Sequence, residues 1–383
     1  MSRAIVIGAG VGGLAAAIAL QRKGWDVSVL ERAPALSPVG AGIAIAPNGL
    51  HALDTIGLGA AVRGLGTMHG EAGLLRANGR WLSRTSAEMI TSRFGDSAVL
   101  LRRTALIDIM AAALEPETVR LATPAAGVDP DAGRVSTGSG ELTADLVVAA
   151  DGINSRVRQA LFPDHPGAVY TGVTSWRLMA PEPANGSWQG IGPDRATETW
   201  GRGEIFGVAT LGDGDTYCYA TAVVPAGQRA QDERVELLRR FGGWHEPIPS
   251  LIAGASDILR TDIHCIDQPL PQLHRGRVAV LGDAAHAMAP NLGQGGCQAI
   301  EDAVVLAAYA GREDGLSRYT EARLARTTTI NHRSRRISRM TQISGPVATW
   351  LRDNAVWLVG LFGPGTLIRQ MEPIIGWRPP EVP

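Results

Sequence analysis

A glycine-rich turn near the N-terminus is the sequence feature that most constrains the fold of this chain. The turn, Gly8-Ala9-Gly10-Val11-Gly12-Gly13, follows the apolar run RAIVI at residues 3–7 and leads into a run of small residues at 12–23. The first run predicts a buried strand and the second a helix, and residues 26–31 (DVSVLE) predict another strand. This strand–helix–strand order predicts an α/β domain.

The spacing of these glycines predicts a dinucleotide site. Gly8 permits the tight turn, Gly10 lets the backbone approach a pyrophosphate, and Gly13 lets helix and strand pack closely. The helix N-terminus then offers free N–H groups and a positive dipole end to the phosphates. A purely structural turn is the alternative, but Glu31 ends the second strand, where a carboxylate accepts hydrogen bonds from a ribose. The predicted contacts are Gly8, Gly10, Val11, Gly12, Gly13, Glu31 and, unless it is simply an exposed arginine, Arg32.

Two further motifs each follow an apolar strand-like run. Asp151-Gly152 follows LVVAA, and Gly282-Asp283 follows VAVL and leads through a second glycine-rich segment into a helix. A carboxylate at a strand end, such as that of Asp283, can accept a hydrogen bond from a sugar-alcohol hydroxyl. The helix start would direct N–H groups at an electron-rich ring edge, such as that of a reduced flavin. The alternative is two acidic turn residues and one more glycine-rich loop, but all three motifs in one order favour FAD.

Composition excludes several functional classes. The 36 basic residues balance 37 acidic ones, and a net charge of −1 argues against a nucleic-acid-binding protein. The three cysteines form no C-x-x-C pair, which favours a reducing compartment and hence the cytoplasm. The eight histidines are scattered, so no metal site is predicted. Lys23 is the one lysine of the chain, so any chemistry that needs a lysine must use it.

With its three motifs in this order, the chain resembles the FAD-dependent aromatic hydroxylases, the group A flavoprotein monooxygenases of the para-hydroxybenzoate hydroxylase fold. The resemblance covers most of the chain and extends to salicylate and urate hydroxylases. Residues 286–302 are also similar to zeaxanthin epoxidase. The resemblance implies a Rossmann-like FAD-binding domain, an inserted antiparallel-sheet substrate domain and a C-terminal helical segment, in a monomer or homodimer.

The resemblance also implies the reaction. FAD would be the cofactor, NADH or NADPH the reductant, and O₂ the source of an oxygen atom transferred through a flavin C4a-hydroperoxide to a small aromatic or heteroaromatic substrate. The alternatives are an epoxidase or natural-product tailoring oxygenase with a larger apolar substrate, and an FAD-binding protein that has lost oxygenation. Halogenases of this fold use a mid-chain lysine, and Lys23 lies too early to serve.

For individual residues, the resemblance implies contacts with the cofactors. Asp151 and Gly152 would serve both FAD and NAD(P)H, Asp283 would bind the ribityl chain, and Arg103 would contact the flavin. The loop Gly40–Gly42 would be mobile beside the flavin ring. The remaining contacts expected on the flavin side are Gly42, Pro290, Gly293, Gly295 and Gly296.

Strand-rich segments separate the α/β motifs, which predicts domains that are discontinuous in sequence. The alternation in TYCYATAVV at 216–224 is typical of an antiparallel sheet. The predicted FAD-binding domain comprises residues 1–65, 99–166 and 271–310, the substrate domain comprises 66–98 and 167–270, and the C-terminal helical region comprises 311–383.

The candidate substrate contacts are Arg177 and Tyr217, both on predicted strands. Their alternatives are a surface arginine and a core tyrosine. Ile205 lies near the place of a functional arginine of the urate hydroxylases, and Asn291 stands where those enzymes have an aspartate after the motif's proline. These departures argue against urate as the substrate. His286 is expected to be structural rather than a general base.

The C-terminal third is expected to be helical from Gln298 to about Met340. Its arginine-rich stretch 323–339 is expected to present a solvated face, with steering of NAD(P)H as the alternative. The apolar stretch 355–368 is too short to span a membrane and predicts a packed element, with peripheral membrane contact as the alternative. Near the N-terminus, Asn48 is expected to cap a short helix.

Overall fold

The computed structural model describes residues 1–36, 42–181, 196–361 and 363–380, and it contains two large sheets flanked by helices. The strands are β1 Arg3–Ile7, β2 Asp26–Leu30, β3 Gly42–Ile45, β4 Glu71–Arg76, β5 Trp81–Ser86, β6 Val99–Arg102, β7 Val119–Arg120, β8 Ala125–Asp129, β9 Arg134–Thr137, β10 Gly140–Thr143, β11 Leu146–Ala149, β12 Ala168–Ala180, β13 Ala196–Trp200, β14 Glu204–Thr210, β15 Thr216–Val223, β16 Ile258–Ile266, β17 His274–Arg275 and β18 Val278–Val280. The helices are α1 Val11–Gln21, α2 Pro47–Thr55, α3 Gly59–Arg63, α4 Ala87–Phe94, α5 Arg103–Ala112, α6 Arg156–Leu161, α7 Glu233–Phe241, α8 Ile248–Gly254, α9 Asp283–His286, α10 Gly295–Tyr309, α11 Gly315–Thr341, α12 Pro346–Leu361 and α13 Pro364–Ile375.

The first large sheet has the strand order β17-β18-β11-β1-β2-β7. At its centre, β1 pairs in parallel with β11 and β2, so that Val6 lies opposite Val148 and Val29. All three valines are fully buried, which explains why these strands read as unbroken apolar runs. The Rossmann-like sheet predicted from the first motif is therefore confirmed.

Helices α1 and α10 pack together on this sheet. Ala15, Ala16 and Ala17 of α1 are fully buried, because small side chains let the helix approach its neighbours closely. A Cβ on Gly12 would lie 2.8 Å from Cδ1 of Leu281 and 3.0 Å from Cβ of Ala299 on α10. The small residues of α1 are therefore needed for its close packing against neighbouring elements, in addition to the tight turn that precedes the helix.

The second large sheet has the order β16-β12-β15-β14-β13-β4-β5. Its pairs are antiparallel except that of β13 with β4. Helices α7 and α8 cover one face, where Trp176, Phe206 and Phe241 form a separate core. The opposite face carries Arg177 and Tyr217 and is turned toward β3, because the Tyr217 ring lies against Gly42. The predicted antiparallel sheet is confirmed, and it includes the early strands β4 and β5.

Three local predictions differ from the structure. The helical stretch predicted from Gln298 to Met340 is interrupted between α10, which ends at Tyr309, and α11, which begins at Gly315. The chain is packed closely at this break, since a Cβ on Gly315 would lie 2.2 Å from the carbonyl oxygen of Tyr309. Residues 66–98, assigned from the sequence to the strand-rich substrate domain, contain α4 as well as strands, with Ser86 as its N-cap accepting from the Met89 N–H at 3.4 Å.

The predicted cap of α2 was also wrong. The helix begins at Pro47, and Ala46 takes the N-cap position in extended conformation, as residues before proline prefer. Asn48 is buried inside the helix and bonds to side chains of α10 instead. Among the described residues, no helix is both long enough and apolar enough to cross a bilayer.

Candidate flavin and substrate site

The first glycine-rich turn forms a close cradle at the end of β1. Gly8 has φ +103°, and a Cβ on it would lie 2.4 Å from the carbonyl oxygen of Ala150. A Cβ on Gly13 would lie 1.9 Å from the carbonyl oxygen of Gly8. At Gly10, by contrast, no described atom would come within 4 Å of an added Cβ. Two glycines therefore let the chain turn and pack, while Gly10 leaves open space at the start of α1.

Glu31 links this turn to the end of β2. Its carboxylate accepts hydrogen bonds from the N–H groups of Ala9 and Ala33, each at 2.8 Å. These bonds hold the carboxylate beside the open N-terminus of α1, with further lone pairs available to a ribose. Arg32, the next residue, is exposed.

Asp151 brings the second motif against the first. A Cβ on Gly8 would lie 3.2 Å from Cα of Asp151, so the two loops are in contact. Oδ2 of Asp151 accepts from the Arg156 N–H at 3.0 Å, whereas the buried Oδ1 has no partner within the described residues. A buried acceptor without a donor is costly in a protein alone, and it suits a ligand that donates a hydrogen bond. Gly152, which follows Asp151, has φ +82°, a left-handed backbone conformation that glycine adopts without strain.

The third motif places an exposed carboxylate beside an open helix N-terminus. Asp283 is exposed, and a Cβ on Gly295 would lie 3.9 Å from its Oδ1. Between them run a 3-10 turn at Pro290–Leu292 and Gly293, whose φ of +62° requires a left-handed conformation. The 15-residue helix α10 then begins without a side-chain N-cap among the described residues.

The first and third motifs meet on α10. An added Cβ on Gly12 or on Gly282 would in each case lie 3.0 Å from Cβ of Ala299. The N-termini of α1 and α10, the unpaired oxygen of Asp151 and the carboxylate of Asp283 therefore belong to one region. These groups are what a dinucleotide with a pyrophosphate, two sugar moieties and an anionic ring edge needs, so FAD fits the residues present.

A buried ionic network supports the third motif. Asp302 on α10 accepts from the Gly282 N–H at 2.9 Å, from His286 at 2.6 Å and from Arg323 at 2.6 Å. Burial alone would raise the pKa of Asp302, but the charges of His286 and Arg323 outweigh it and hold that pKa well below its usual value. His286 thus contacts a structural carboxylate, in agreement with its expected role.

Glu301 extends this network to α2 and α11. It accepts from Asn48 at 2.6 Å, from Arg323 and from Arg326. The prediction of a solvated face for 323–339 was therefore wrong for Arg323 and Arg326, because charged residues in the otherwise apolar α10 require buried partners. The adjacent acids Glu301 and Asp302, inside the buried run QAIEDAVVL, were the available signal for this network.

On the substrate side, β3 lies between α10 and the second large sheet. A Cβ on Gly296 would lie 3.0 Å from Cδ1 of Ile43, and a Cβ on Gly42 would lie 2.5 Å from Cγ of Tyr217. Gly40, of the loop expected to be mobile, lies outside the described residues. The glycine-rich segment of the third motif and Tyr217 therefore lie on opposite sides of the short strand β3.

Arg177 lies on the same sheet face as Tyr217. It pairs with Tyr219, the next residue of β15 on that face. Burial raises the pKa of the Tyr217 hydroxyl, and the positive charge of Arg177 offsets part of that rise. Tyr217 therefore stays protonated near neutral pH and can donate a hydrogen bond.

Sequence reasoning missed a carboxyl group next to these two residues. Glu198 accepts from the Tyr219 hydroxyl at 2.5 Å and from Nε1 of Trp200. Burial raises its pKa. Gly207 makes room for this arrangement, since a Cβ there would lie 2.1 Å from Cζ of Tyr219. No motif marks Glu198: Trp200 lies on its own strand β13, but the second partner, Tyr219, lies far along the chain on β15.

Arg103 and Asn291 complete the set of predicted residues. Arg103 is exposed and begins α5 immediately after β6, whose last residue, Arg102, pairs with Gly42 of β3. Arg102 itself forms ion pairs with Asp213 and Asp215. Asn291 and Pro290 line a small cavity with residues in or next to the second large sheet and α11: Val173, Gly203, Thr221, Ile263, Ser338, Thr341 and Gln342.

Known proteins share these features. A family model described as FAD binding domain matches residues 1–334. The aurachin C monooxygenase/isomerase of Stigmatella aurantiaca is 39% identical over 360 residues, covering 91% of this chain and 92% of the relative. The FAD-dependent urate hydroxylase of Klebsiella pneumoniae is 34% identical over 322 residues, covering 80% of each protein. The crystal structure of Klebsiella pneumoniae HpxO with FAD and uric acid superimposes with a TM-score of 0.88 at 28% identity, covering 97% of this chain and 95% of that one.

Proposed function

This chain belongs to the FAD-binding family that its residues 1–334 match, and we propose that it is an NAD(P)H-dependent monooxygenase of a small aromatic or heteroaromatic compound. The observation that carries the proposal is the convergence of three distant motifs on one region. There the open N-termini of α1 and α10 meet the unpaired Oδ1 of Asp151 and the exposed Asp283.

We assign the cofactor contacts as follows. The turn from Gly8 to Gly13 would hold the pyrophosphate, Glu31 the adenosine ribose and Asp283 the ribityl chain. The N-terminus of α10 would face the flavin ring, with Arg103 at its side. When bound, FAD supplies the redox chemistry, which is acceptance of a hydride from NAD(P)H and activation of O₂.

The chain's own residues would position the substrate on the far side of β3. Tyr217, still protonated, would donate a hydrogen bond to a ring oxygen or nitrogen, and Arg177 would favour a partly anionic substrate. The packing of Tyr217 on Gly42 would help to exclude water from the region between the sheet and the flavin. The roles proposed for Tyr217 and Arg177 are based on the position of these two residues beside the proposed FAD site.

A larger, more apolar substrate is a second candidate. Ile205 stands in a cluster with Leu82 and Trp200, next to Tyr219 on the same side of the sheet. These three side chains are buried against Met340 and Val356, so the second candidate rests on Ile205 alone: an apolar residue near the place of a functional arginine of the urate hydroxylases favours a less anionic, more apolar substrate. The relatives' names also differ in substrate, aurachin C in one case and urate in the other, so the family alone does not fix the substrate.

The proposal is tested with the purified protein in two steps. We expect a flavin absorbance spectrum and NAD(P)H oxidation that accelerates with an accepted aromatic substrate, yielding a product heavier by one oxygen atom. Asp283→Asn should weaken FAD binding, whereas Asp257→Asn, at an exposed aspartate outside the motifs, should not. A protein that neither retains nor rebinds FAD contradicts the cofactor assignment. Bound FAD that NAD(P)H never reduces, with any candidate, contradicts the monooxygenase assignment.

A further inference from the structure

Helix α12 carries apolar residues on its outer side and charged residues on its inner side. Val347, Trp350 and Leu361 are 70%, 60% and 62% exposed, respectively. Within α12, all of which the structure describes, the exposed positions are Pro346, Val347, Ala348, Trp350, Leu351, Ala355, Trp357, Leu358, Val359 and Leu361. None of them is charged. A surface helix of a water-soluble domain normally shows the reverse pattern.

Specific contacts fix this orientation. Arg352 and Asp353 are 6% and 8% exposed, and Arg352 donates to Asp353 and to the carbonyl oxygen of Gly201 at 2.9 Å. Asn354 accepts from Arg76 of β4 at 3.3 Å. A Cβ on Gly360 would lie 2.9 Å from the carbonyl oxygen of Leu82 on β5. Polar contacts in the middle of the helix and close packing near its C-terminal end therefore hold the apolar face outward.

The exposed apolar face is larger than isolated surface residues produce. It includes two tryptophans, Trp350 and Trp357, which prefer the boundary between lipid headgroups and acyl chains. The helix has 16 residues, too few to span a bilayer, so it would lie along a membrane surface rather than cross it.

The charge around α12 is complementary to anionic lipid. Between Glu321 and Asp353 the sequence has no acidic residue and seven arginines, of which Arg323, Arg326, Arg335 and Arg352 are in ion pairs with carboxylates. The other three, Arg333, Arg336 and Arg339, are exposed in the last turns of α11, just before α12. The β4–β5 hairpin on which α12 packs adds the exposed Arg80 and Arg84, although Arg84 also has Glu71 at 3.9 Å. Basic residues beside an apolar helix favour binding to anionic bilayers.

We propose that the outer face of α12 binds the surface of a bilayer that contains anionic lipid, with Trp350, Leu351, Trp357 and Leu358 entering the headgroup boundary. The apolar face supplies the insertion and the neighbouring arginines supply the electrostatic attraction. This proposal does not depend on the substrate or on the reaction.

The test is sedimentation of the full-length, FAD-loaded protein with vesicles of phosphatidylcholine alone or mixed with phosphatidylglycerol. We expect binding to the mixed vesicles, weaker binding at high salt, and little binding to phosphatidylcholine alone. Trp350→Ser/Leu358→Ser should lower the bound fraction at least about tenfold, because two large apolar side chains are lost from the contact. Val235→Ser, at a position 62% exposed on the distant helix α7, is the matched control and should bind as the unmodified protein does.

Thermal unfolding and FAD content should be the same for all three proteins, which separates a loss of binding from a loss of folding. The proposal is overturned if the unmodified protein ignores the mixed vesicles or if the double variant binds them equally well. It is also overturned if light scattering shows a dimer that only the double variant breaks and no protein binds vesicles. The face would then be an interface between copies.

Discussion

Two glycines of the same turn should respond to the same substitution in opposite ways. Gly10→Ala adds a methyl group where no described atom lies within 4 Å, so the fold should tolerate it. That methyl would occupy the space proposed for the pyrophosphate, and FAD affinity should fall at least about tenfold. Gly13→Ala places a Cβ 1.9 Å from the Gly8 carbonyl oxygen and should destabilise the protein itself.

Urea unfolding of the FAD-free proteins and titration with FAD distinguish the two effects. Gly10→Ala should unfold near the midpoint of the unmodified protein, while Gly13→Ala should unfold earlier. Unchanged FAD affinity in Gly10→Ala would show that the pyrophosphate lies elsewhere.

Asp302 is the carboxylate of the buried network that binds both His286 and Arg323. Asp302→Asn leaves Arg323 buried with one fewer anionic partner and should cost about 3–5 kcal/mol of unfolding free energy. The pH dependence has a definite sign. Because the folded-state pKa is held below the ordinary value of 3.8, the carboxylate's stabilisation is complete above that value and is lost as pH falls below it.

Unfolding free energies measured between neutral pH and about pH 3 check this prediction. The unmodified protein should lose stability over the acid part of the range, and Asp302→Asn should lose less. If the unfolding free energies of the two proteins fell in parallel with decreasing pH, the acid sensitivity would come from other carboxyl groups.

At the scale of one element, β15 carries Tyr217, which we propose contacts the substrate, and Tyr219, which forms a buried hydrogen bond. Tyr217 and Tyr219 lie on the same face with ring centroids 6.1 Å apart, yet only the Tyr219 hydroxyl bonds to Glu198. Tyr219→Phe should destabilise the fold by about 1–3 kcal/mol, because it leaves a buried carboxyl oxygen without its donor. Tyr217→Phe should leave stability unchanged and raise KM for the substrate.

Thermal unfolding and steady-state kinetics of the two variants, compared side by side, decide between these roles. If Tyr217→Phe turned over substrate with unchanged KM and kcat, Tyr217 would be a core tyrosine, which was the alternative interpretation of its position on a strand.

Element by element, the sequence predicted best what is encoded locally. The turn at Gly8 to Gly13 and the strands β1, β2 and β11 follow from contiguous patterns of apolar residues and glycines. Glu198 and Arg323 could not be recognised in this way, since each has a partner that is distant in sequence: Tyr219 on β15 for Glu198, and the acids of α10 for Arg323. Asn48 was misassigned for the same reason: a good capping residue was used for a long-range contact to Glu301.

At the scale of the whole molecule, the cofactor region is assembled from segments that are far apart in the chain. FAD that contacts all three motifs should therefore stabilise the entire fold and not a single loop. At a free FAD concentration about 100 times its Kd, the unfolding free energy should rise by about 2.7 kcal/mol. Thermal unfolding with and without FAD measures this.

Gly10→Ala provides the control for this experiment, since its FAD-free form should melt like the unmodified protein but gain little from the same FAD concentration. A melting temperature that does not respond to FAD in the unmodified protein would mean that the three motifs do not share one ligand.

The strand order of the first large sheet also determines when each strand can pair with its neighbour during synthesis of the chain. β1, its central strand, is synthesised first, but its neighbour β11 begins only at Leu146 and the next strand, β18, only at Val278. At translation rates of about 5–20 residues per second, roughly 7–28 s pass before β11 is made and can pair with β1, and a similar interval follows before β18 can pair with β11. Arg323, which anchors the helix under the third motif, emerges later still. A half-made chain therefore keeps one edge of this apolar sheet without its partner strand for much of its synthesis, although β2 can pair with the other edge of β1 early.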